Sequence, residues 1–259
     1  MRRRVLVEPT SRLAVWSLRI VTLGLGVTAI AIPLARADWL DGFQGLTVMA
    51  IGFVIAALGL GIAVLAGVVI WITGYQGARY AVLAALISLA MLAGPAALGV
   101  IALGLPRIND ISTDTQDPPQ FDVVARARPR SANSSVYPRS FAERQRTAYP
   151  QVRSLDVDLA PNDLNEVVME VVENHRWRVL DQVDYTGPAQ EGRYEMVARS
   201  LLLGFRDDIV IRIRAVNGRA RIDIRSASRY GTHDFGVNAR RITELLDELR
   251  AGVRRAQRS

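Results

Sequence analysis

The chain has 259 residues, half of them apolar, with a formal net charge of +7 and no cysteine. The missing cysteine excludes disulfides, thiolate metal sites and cysteine nucleophiles, and because every basic residue is arginine, Walker-type phosphate loops and Schiff-base lysines are excluded as well. The pI of about 10.4 would suggest a nucleic-acid partner, but residues 153–259 carry 18 Arg against 17 acidic residues, and this near-neutral charge predicts no nucleic-acid partner.

Long apolar segments open the chain, at residues 13–34, 43–72 and 80–105. A helix needs about 20 apolar residues to cross the hydrocarbon layer, so each segment is long enough to be a transmembrane helix. Tryptophan and tyrosine stand near the segment ends, as interfacial aromatics do. Residues 1–105 are therefore predicted to form a helical membrane anchor with three spans. The absence of Asp, Glu and His inside the spans disfavours a transporter or channel subunit.

The distribution of arginine predicts the orientation of this anchor. Arginines at positions 2–4 and 12 precede the first span and Arg79 lies between the second and third, whereas Arg36 is offset by Asp38 and Asp41. The positive-inside rule places the N-terminus in the cytoplasm and everything after residue 105 outside it, which in a bacterium is the periplasm. The alternative is signal-peptidase cleavage after Ala37, and residues from 106 onward stay outside the cytoplasm in that case too.

Residues 106–152 lack sustained periodicity and are rich in proline and arginine. The Asp-Pro-Pro sequence at 117–119 favours an extended and stiff backbone. The loose basic run from Arg126 to Arg146 is of a kind that contacts anionic lipid headgroups, although a merely solvated segment is equally compatible with it. We therefore expect an extended linker over residues 106–152, between the anchor and a soluble domain at 153–259.

From residue 153 the pattern becomes regular. An alternating run at 153–159 predicts a strand, and a helix with one apolar stripe follows from Pro161. A closing helix begins near Gly236. Further predicted strands lie between the helices, at residues 177–184, 192–202, 208–216 and 219–228. The order βαββββα predicts a small two-layer α+β domain in which helices cover one face of an antiparallel sheet.

An Asn-Gly pair at 217–218 between two alternating runs predicts a two-residue hairpin turn. The turn sets a register that pairs Arg214 with Arg221, Ile213 with Ile222, Arg212 with Asp223 and Ile211 with Ile224. One face of the hairpin is then isoleucine core and the other is charged. Like charges in opposite positions destabilise a sheet. Arg214 and Arg221 therefore either splay into water or hold an anion together with Arg225.

A polar loop at residues 225–241 joins the last strand to the last helix. Its candidate binding residues are Ser226, Ser228, Arg229, Asp234, Asn238 and Arg241. Two interpretations compete: internal hydrogen bonds that hold the loop, or a ligand site near a helix N-terminus, which attracts anions. A Ser228/His233/Asp triad is disfavoured, because neighbouring His233 and Asp234 do not align readily and no nucleophile elbow is present.

No metal site and no cofactor are predicted. The chain contains two histidines, and no His/Asp/Glu cluster has the spacing of metal ligands. His175 falls at the end of the first helix of the soluble domain, where a histidine commonly meets the C-terminal carbonyls.

Two separated segments of the chain resemble a known family. Residues 109–121 read Asn-Asp-Ile-Ser-Thr-Asp, then Asp-Pro-Pro and Phe. Residues 225–242 contain Ser-Arg-Tyr-Gly, Asp-Phe-Gly-Val-Asn and Arg-Arg-Ile. In this order they are similar to the opening and closing signatures of the domain of unknown function 1499 family, here in a membrane-anchored bacterial form. The resemblance covers about residues 106–250 and implies domain boundaries and location rather than catalytic residues.

These observations predict an inner-membrane protein with a periplasmic α+β domain that binds a ligand or partner. The alternative is a periplasmic hydrolase or lipid-modifying enzyme that uses residues 226–241. The expected partners are the lipid bilayer and an anionic headgroup, a glycan or an envelope protein. A deep pocket that gathers Ser228, Arg229, Asp234 and Asn238 would favour an enzyme or ligand site. The same side chains bonded inward would favour a structural loop.

Overall fold

The computed structural model describes residues 8–187, 191–200, 204–216 and 218–258. The chain divides into two compact units, Met1–Ile101 and Ala102–Ser259, and each has its own buried core. The first unit holds the apolar helices and the second holds the sheet. Positions 2–4, whose arginines contribute to the predicted orientation, lie outside the described residues.

Among its described residues, the first unit is built from three helices: α1 (Arg12–Arg36), α2 (Gly42–Thr73) and α3 (Ala78–Leu103). Each is long and apolar enough to cross a membrane, and their bounds agree with the predicted spans to within a few residues. Many of their large apolar side chains are exposed, as those of lipid-facing residues are. The helices therefore suggest a membrane-spanning anchor.

Polar caps and a glycine fix where these helices begin and end. Ser11 Oγ accepts a hydrogen bond from the Ala14 N–H at 3.4 Å and caps α1. At the start of α2, Asp41 Oδ1 accepts from the Gln44 N–H at 2.8 Å, and Gln44 Oε1 accepts from the Asp41 N–H at 3.1 Å. The end of α2 is set by Gly74, whose φ of 75° lies in the left-handed region that favours glycine.

Small residues bring α1 and α2 into close contact. Gly52, Gly59 and Ala66, seven positions apart, are buried along one side of α2. A Cβ added at Gly52 would lie 3.0 Å from the carbonyl oxygen of Gly24, and one added at Gly59 would overlap the Val21 side chain. Small side chains at this seven-residue period are typical of closely packed helix pairs in membranes.

An antiparallel sheet forms the centre of the second unit. Its strands are β1 (Asp110–Ser112), β2 (Leu155–Val157), β3 (Arg178–Val183), β4 (Gly192–Arg199), β5 (Arg206–Val216) and β6 (Arg219–Ser228). They lie in the order β1-β6-β5-β4-β3, and β2 also pairs with β6. From residue 153 onward the element order is βαββββα, as predicted. The predicted end of one strand, at residue 202, lies outside the described residues.

Helices α6 (Leu164–Asn174) and α7 (Val237–Ala256) cover one face of the sheet. They bury an apolar stripe that includes Val168 and Leu249 against strand residues such as Ile211 and Ile222, all less than 1% exposed. Each such side chain contributes about 1.5–3 kcal/mol when it leaves water. The predicted packing of helices against an antiparallel sheet is therefore confirmed.

The register of the β5–β6 hairpin is also confirmed. Its Cα partners are Ile211 and Ile224, Arg212 and Asp223, Ile213 and Ile222, and Arg214 and Arg221. Gly218 in the turn has a φ of 78°, a conformation that favours glycine. Asn217, the other residue of the predicted turn, lies outside the described residues. The four isoleucines are buried in the core, as the alternation predicted.

Residues 106–152 differ from the predicted extended linker. The structure builds β1, α4 (Val123–Arg126) and α5 (Phe141–Ala148) from them and groups them with the second unit. Ile108, Ile111 and Phe121 are buried. Such short elements produce no detectable sequence period. They are held instead by pairing and packing with strands that follow much later in the chain.

Part of this segment covers the face of the sheet opposite α6 and α7, whereas Ile108 and Ile111 belong to the core that these helices bury. Phe121 and Val124 pack on Val197, Val210 and Ala227. Glu195 of β4 is fully buried, and its two carboxylate oxygens accept hydrogen bonds from the backbone N–H groups of Asp122 at 2.9 Å and Val124 at 2.8 Å. On the charged face predicted for the hairpin, Arg212, Asp223 and Arg225 are buried by protein, and Arg214 and Arg221 are partly exposed.

Candidate functional site

The two segments that resemble the family signatures form neighbouring strands. β1 pairs with β6 so that Asp110 lies opposite Ala227. The Asn109 carbonyl oxygen accepts hydrogen bonds from the Ser228 N–H at 2.9 Å and from Asn238 Nδ2 at 3.2 Å. Segments from the two ends of the second unit therefore meet at one place.

A cavity of about 380 Å³ opens beside this junction. Its wall combines polar and apolar side chains, namely Arg107, Asn109, Asp110, Asn133, Ser134, Pro138, Phe141, Ala227, Ser228 and Thr232. Pockets that bind small molecules have volumes of roughly 300–1,000 Å³ and apolar walls with a few polar groups. The cavity, which we call the β1–β6 cavity, has the size and lining of a small-molecule site.

Two asparagines hold one wall of the β1–β6 cavity. Asn109 Nδ2 donates a hydrogen bond to the Gly231 carbonyl oxygen at 2.6 Å, and Asn133 Nδ2 donates to the same oxygen at 2.8 Å. Asn133 Nδ2 also donates to the Ser228 carbonyl oxygen at 3.0 Å. Gly231 has a φ of 82°, which favours glycine. These bonds fix the loop after β6 against residues 106–152, which we call the early segment.

The exposed Arg107 lines this cavity, and the exposed Arg144 bonds to the backbone of Arg107. Arg107 Nε donates to Thr232 Oγ1 at 3.3 Å, and Arg144 Nη1 donates to the Arg107 carbonyl oxygen at 3.2 Å. The Arg144 guanidinium lies 5.0 Å from the centre of the Phe141 ring. In the described parts of the chain no carboxylate pairs with either arginine. The edge of the cavity therefore carries positive charge.

Arg225 and Asp110 form a buried ion pair at the cavity wall. Arg225 Nε and Nη2 donate to the two Asp110 oxygens at 2.9 and 2.8 Å. Arg225 Nη1 donates to the Pro119 carbonyl at 3.0 Å, and Nη2 donates to the Ser135 carbonyl at 2.8 Å. Arg225 is fully buried, and its guanidinium lies 4.5 Å from the centre of the Phe121 ring. The negative charge of Asp110 at the cavity wall is thus neutralised by Arg225, which lies in the protein interior.

Tyr137 lies against the same guanidinium, with its ring centre 5.6 Å from Arg225 Cζ. Burial raises the pKa of Tyr137 far above its usual value, and the nearby Asp110 carboxylate raises it further. The phenol therefore stays protonated and donates to Gln145 Oε1 at 3.2 Å. Buried Gln145 also accepts from the Ser112 N–H at 3.0 Å and donates to the Ser112 carbonyl at 2.6 Å, which ties α5 to β1.

Most of the predicted loop residues bond inward. Ser226 Oγ donates to Asn238 Oδ1 at 2.7 Å, and Arg241 Nη1 donates to both of these atoms, at 2.8 and 2.6 Å. Arg241 Nη2 pairs with Asp207 at 2.6 Å. Asn238 Nδ2 donates to Ser228 Oγ at 3.0 Å. Of the two interpretations of this loop, internal hydrogen bonding describes these residues, and Ser228 alone among them also lines the β1–β6 cavity.

Arg229 and Asp234 are also bonded within the protein. Arg229 Nε donates to Asp208 Oδ1 at 2.8 Å, and Arg229 Nη2 lies 2.8 Å from the same oxygen. Asp234 accepts from the backbone N–H groups of Gly236 at 3.1 Å and Asn238 at 2.9 Å, which holds the first turn of α7. Burial raises the pKa of Asp234 above its usual value, although the two backbone hydrogen bonds oppose this change.

Both histidines bond to neighbouring groups of the protein. His233 Nδ1 accepts from the Phe235 N–H at 2.9 Å, and the two rings stack 4.6 Å apart. His175 Nε2 lies 2.8 Å from a Glu248 oxygen, so its side chain joins α6 to α7 instead of meeting the carbonyls at the end of α6. Within the described ranges, no group of three or more His, Asp or Glu residues is arranged to hold a metal ion.

The structure does not bring Arg214, Arg221 and Arg225 together into one anion site. Arg214 Nη1 pairs with Asp117 at 2.6 Å. Arg221 donates to the two oxygens of Asp156 at 2.7 and 3.2 Å. Arg225 is buried with a carboxylate of its own. Arg214 Nη2 also donates to Asp223 Oδ2 on β6 at 2.8 Å. The like charges that oppose each other in the hairpin are therefore compensated by acids, one of them within the hairpin, and the arginines neither share an anion nor splay into water.

The residues that the early segment contributes to the cavity were not among the predicted site residues. Arg107, Asn133 and Phe141 fall in the predicted linker, and Asp110 was noted only as part of a signature. The family signature at residues 109–121 was the one sequence signal for this part of the site. A short motif far from the rest of its domain indicates a long-range contact, which local periodicity does not reveal.

The structure is an α+β domain with a cavity of about 380 Å³ at the junction of β1 and β6, in a chain that also has apolar helices of membrane-spanning length. The chain belongs to the DUF1499 family. The model of that family, described as a protein of unknown function, matches residues 110–249, more than half of the chain. The match begins at β1 and ends within α7, so it coincides with the second unit. A comparison with curated proteins found no match.

Proposed function

We propose that this protein is a membrane-anchored binding protein whose second unit holds a small ligand in the β1–β6 cavity. The observation that carries this proposal is a cavity of about 380 Å³ at the place where the two signature segments pair. A water molecule occupies about 30 Å³ in the liquid, so this volume corresponds to roughly a dozen waters and exceeds the site of one or two bridging waters.

The chemistry of the wall favours a partly apolar ligand. Pro138 and Phe141 contribute apolar surface. The Asp110 carboxylate is already neutralised by Arg225, so it offers little attraction to a cation. Arg107, by contrast, has no carboxylate partner in the ranges that the structure describes. A small molecule with an apolar body and a neutral or negative polar end fits these walls.

A binding role is better supported than a hydrolase that uses residues 226–241. A general base must lie within hydrogen-bond reach of the group from which it takes a proton. Ser228 Oγ receives its hydrogen bond from Asn238 Nδ2, an amide that cannot act as a base. His233 Nδ1 is bonded to the Phe235 N–H instead. Among the described residues, no nucleophile–base pair lines the cavity.

We further propose that α1–α3 anchor the protein in the bacterial inner membrane with the second unit in the periplasm. This orientation rests on the arginines at positions 2–4, on Arg12 at the start of α1 and on Arg79 at the start of α3. They are compared with Arg36 at the end of α1 and with Asp38 and Asp41 between α1 and α2. Arginine-rich segments next to membrane helices stay in the cytoplasm.

Reporter fusions test the orientation. Alkaline phosphatase fused after the last residue should be active, because the enzyme matures outside the cytoplasm, and green fluorescent protein at the same place should be dark. A matched fusion after Gln76, between α2 and α3, should give the opposite pair of results. Fluorescence from the C-terminal fusion would show that the proposed orientation is wrong.

Filling the cavity tests the ligand proposal. The full chain is purified in mild detergent, and native mass spectrometry compares the small molecules that stay bound. Wild-type protein should retain a ligand that Thr232→Trp and Ser134→Trp lose, because a large side chain at either wall position takes the ligand's space. Both residues are exposed, so folding should tolerate the change.

The matched control is Thr147→Trp, an equally exposed position on α5 that does not line the cavity. It should retain the ligand. Equal ligand loading in all four proteins, or none in the wild type, would contradict the proposal.

A further inference from the structure

A second recess lies beside the C-terminal end of α5. It has a volume of about 540 Å³ and shares no lining residue with the β1–β6 cavity. Its walls are the turn at residues 113–116, the chain from Arg146 to Asp156, and Arg221 on β6. We call this recess the α5 cleft. Its lining is mostly polar, and nothing in the proposed function uses it.

The acidic side chains of the α5 cleft already have partners. Asp156 accepts two hydrogen bonds from Arg221, at 2.7 and 3.2 Å, and the bond from Arg221 lowers the pKa of Asp156. Asp114 Oδ1 accepts from the Gln116 N–H at 3.0 Å, and Asp114 Oδ2 lies 3.4 Å from Arg214 Nη2. Neither carboxylate is left to neutralise another arginine in the cleft.

Arg146 and Arg153 carry charges without counter-ions. Both side chains are exposed and line the cleft. Arg153 Nε donates to the Pro150 carbonyl at 2.8 Å, which holds that guanidinium at the wall. In the part of the chain that the structure describes, neither arginine forms an ion pair with a carboxylate. The cleft therefore has two uncompensated positive charges and a third, compensated one at Arg221.

We infer that the α5 cleft binds a phosphate group. Two uncompensated guanidinium groups match the charge of a phosphate dianion, and the planar guanidinium fork forms paired hydrogen bonds to phosphate oxygens. Arg221 adds donors on the same wall, in a position that Asp156 fixes. The volume leaves room for the molecule that carries the phosphate. The ligand is thus a phosphorylated molecule, either a phospholipid headgroup or a soluble phosphate compound.

Binding can be measured with the full chain in nanodiscs of phosphatidylcholine, by calorimetric titration with inorganic pyrophosphate. A second arm measures co-sedimentation of the same nanodiscs with vesicles that contain phosphatidylglycerol. Arg146→Gln and Arg153→Gln should each weaken binding about tenfold or more, because each removes a charge-assisted hydrogen-bond donor. Arg254→Gln removes the same charge from an exposed position on α7 and should bind like the wild type.

If Arg146→Gln and Arg153→Gln weaken pyrophosphate binding, the site is assigned to a soluble phosphate compound. If the two variants weaken only the binding to vesicles, the site is assigned to a lipid headgroup. If neither probe distinguishes Arg146→Gln and Arg153→Gln from Arg254→Gln, the inference is wrong. Thr232→Trp, which fills the other cavity, should leave pyrophosphate binding unchanged. The experiments therefore distinguish failure of the phosphate-site inference from failure of the ligand proposal for the β1–β6 cavity.

Discussion

Replacing Asp110 with alanine is expected to lower the free energy of unfolding of the second unit by about 3–5 kcal/mol, because the change leaves a buried arginine without its counter-ion. Arg225 is fully buried and Asp110 is 4% exposed. Hydrogen bonds of 2.9 and 2.8 Å join the two side chains. Urea unfolding of the full chain in detergent, followed by near-ultraviolet circular dichroism, measures the change.

A matched control removes an exposed acid instead. Asp247 pairs with Arg250 on α7 at 2.7 Å, but the two side chains are 67% and 40% exposed, and such surface pairs contribute about 0–1 kcal/mol. Asp247→Ala should therefore change little. The double variant Asp110→Ala/Arg225→Met should recover part of the loss, because it leaves no buried charge unpaired. Equal effects of Asp110→Ala and Asp247→Ala would contradict this account of the buried pair.

The features that sequence predicted well have a local cause. The three long apolar helices follow from the length of apolar runs, and the β5–β6 hairpin follows from alternation around an Asn-Gly turn. In the hairpin, a single turn sets every cross-strand pair, from Ile211 with Ile224 to Arg214 with Arg221. Such information lies within a few residues of the element it predicts, so one sequence is enough to recover it.

The segment at 106–152 was mistaken for a linker because what holds it is not local. β1 has three residues and α4 has four, too few to show a period. Its apolar residues Ile111 and Phe121 are isolated among polar ones, and their burial depends on strands that follow much later in the chain. Proline and arginine content then suggested a solvated segment.

The candidate site was missed for the same reason. The predicted register identified Arg214, Arg221 and Arg225 as charged positions on one face of a hairpin. Apart from Asp223, which pairs with Arg214, their acidic partners come from elsewhere in the chain. Asp117 and Asp156 each neutralise one of them, which the sequence of the hairpin does not reveal. Arg146 and Arg153 in the α5 cleft could be identified as candidate binding residues only from the structure, because it shows which carboxylates already pair with other arginines.

Replacing Asp208 with alanine is expected to release the early segment from the sheet, with a loss of about 3–5 kcal/mol in stability. Asp208 is fully buried and accepts hydrogen bonds from Arg128 Nε at 2.6 Å and Arg229 Nε at 2.8 Å. Arg128 Nη1 also donates to the carbonyls of Asn133 at 2.9 Å and Ser134 at 2.7 Å. Loss of this one carboxylate therefore leaves the buried Arg128 and Arg229 side chains without a counter-ion and removes the contact that holds the early segment on β5.

Hydrogen exchange of the full chain, read by mass spectrometry, separates local release from global unfolding. The amides of Asp122 and Val124, bonded to Glu195, should exchange faster in Asp208→Ala, and by a larger factor than those of α7. Arg126→Ala is the control, because Arg126 lies in the same segment but pairs with Asp122 at the surface, where its side chain is 69% exposed. A uniform increase across the segment and α7 would mean that the segment opens only when the whole second unit unfolds. Asp208 would then stabilise the unit without acting as a specific attachment between the segment and the sheet.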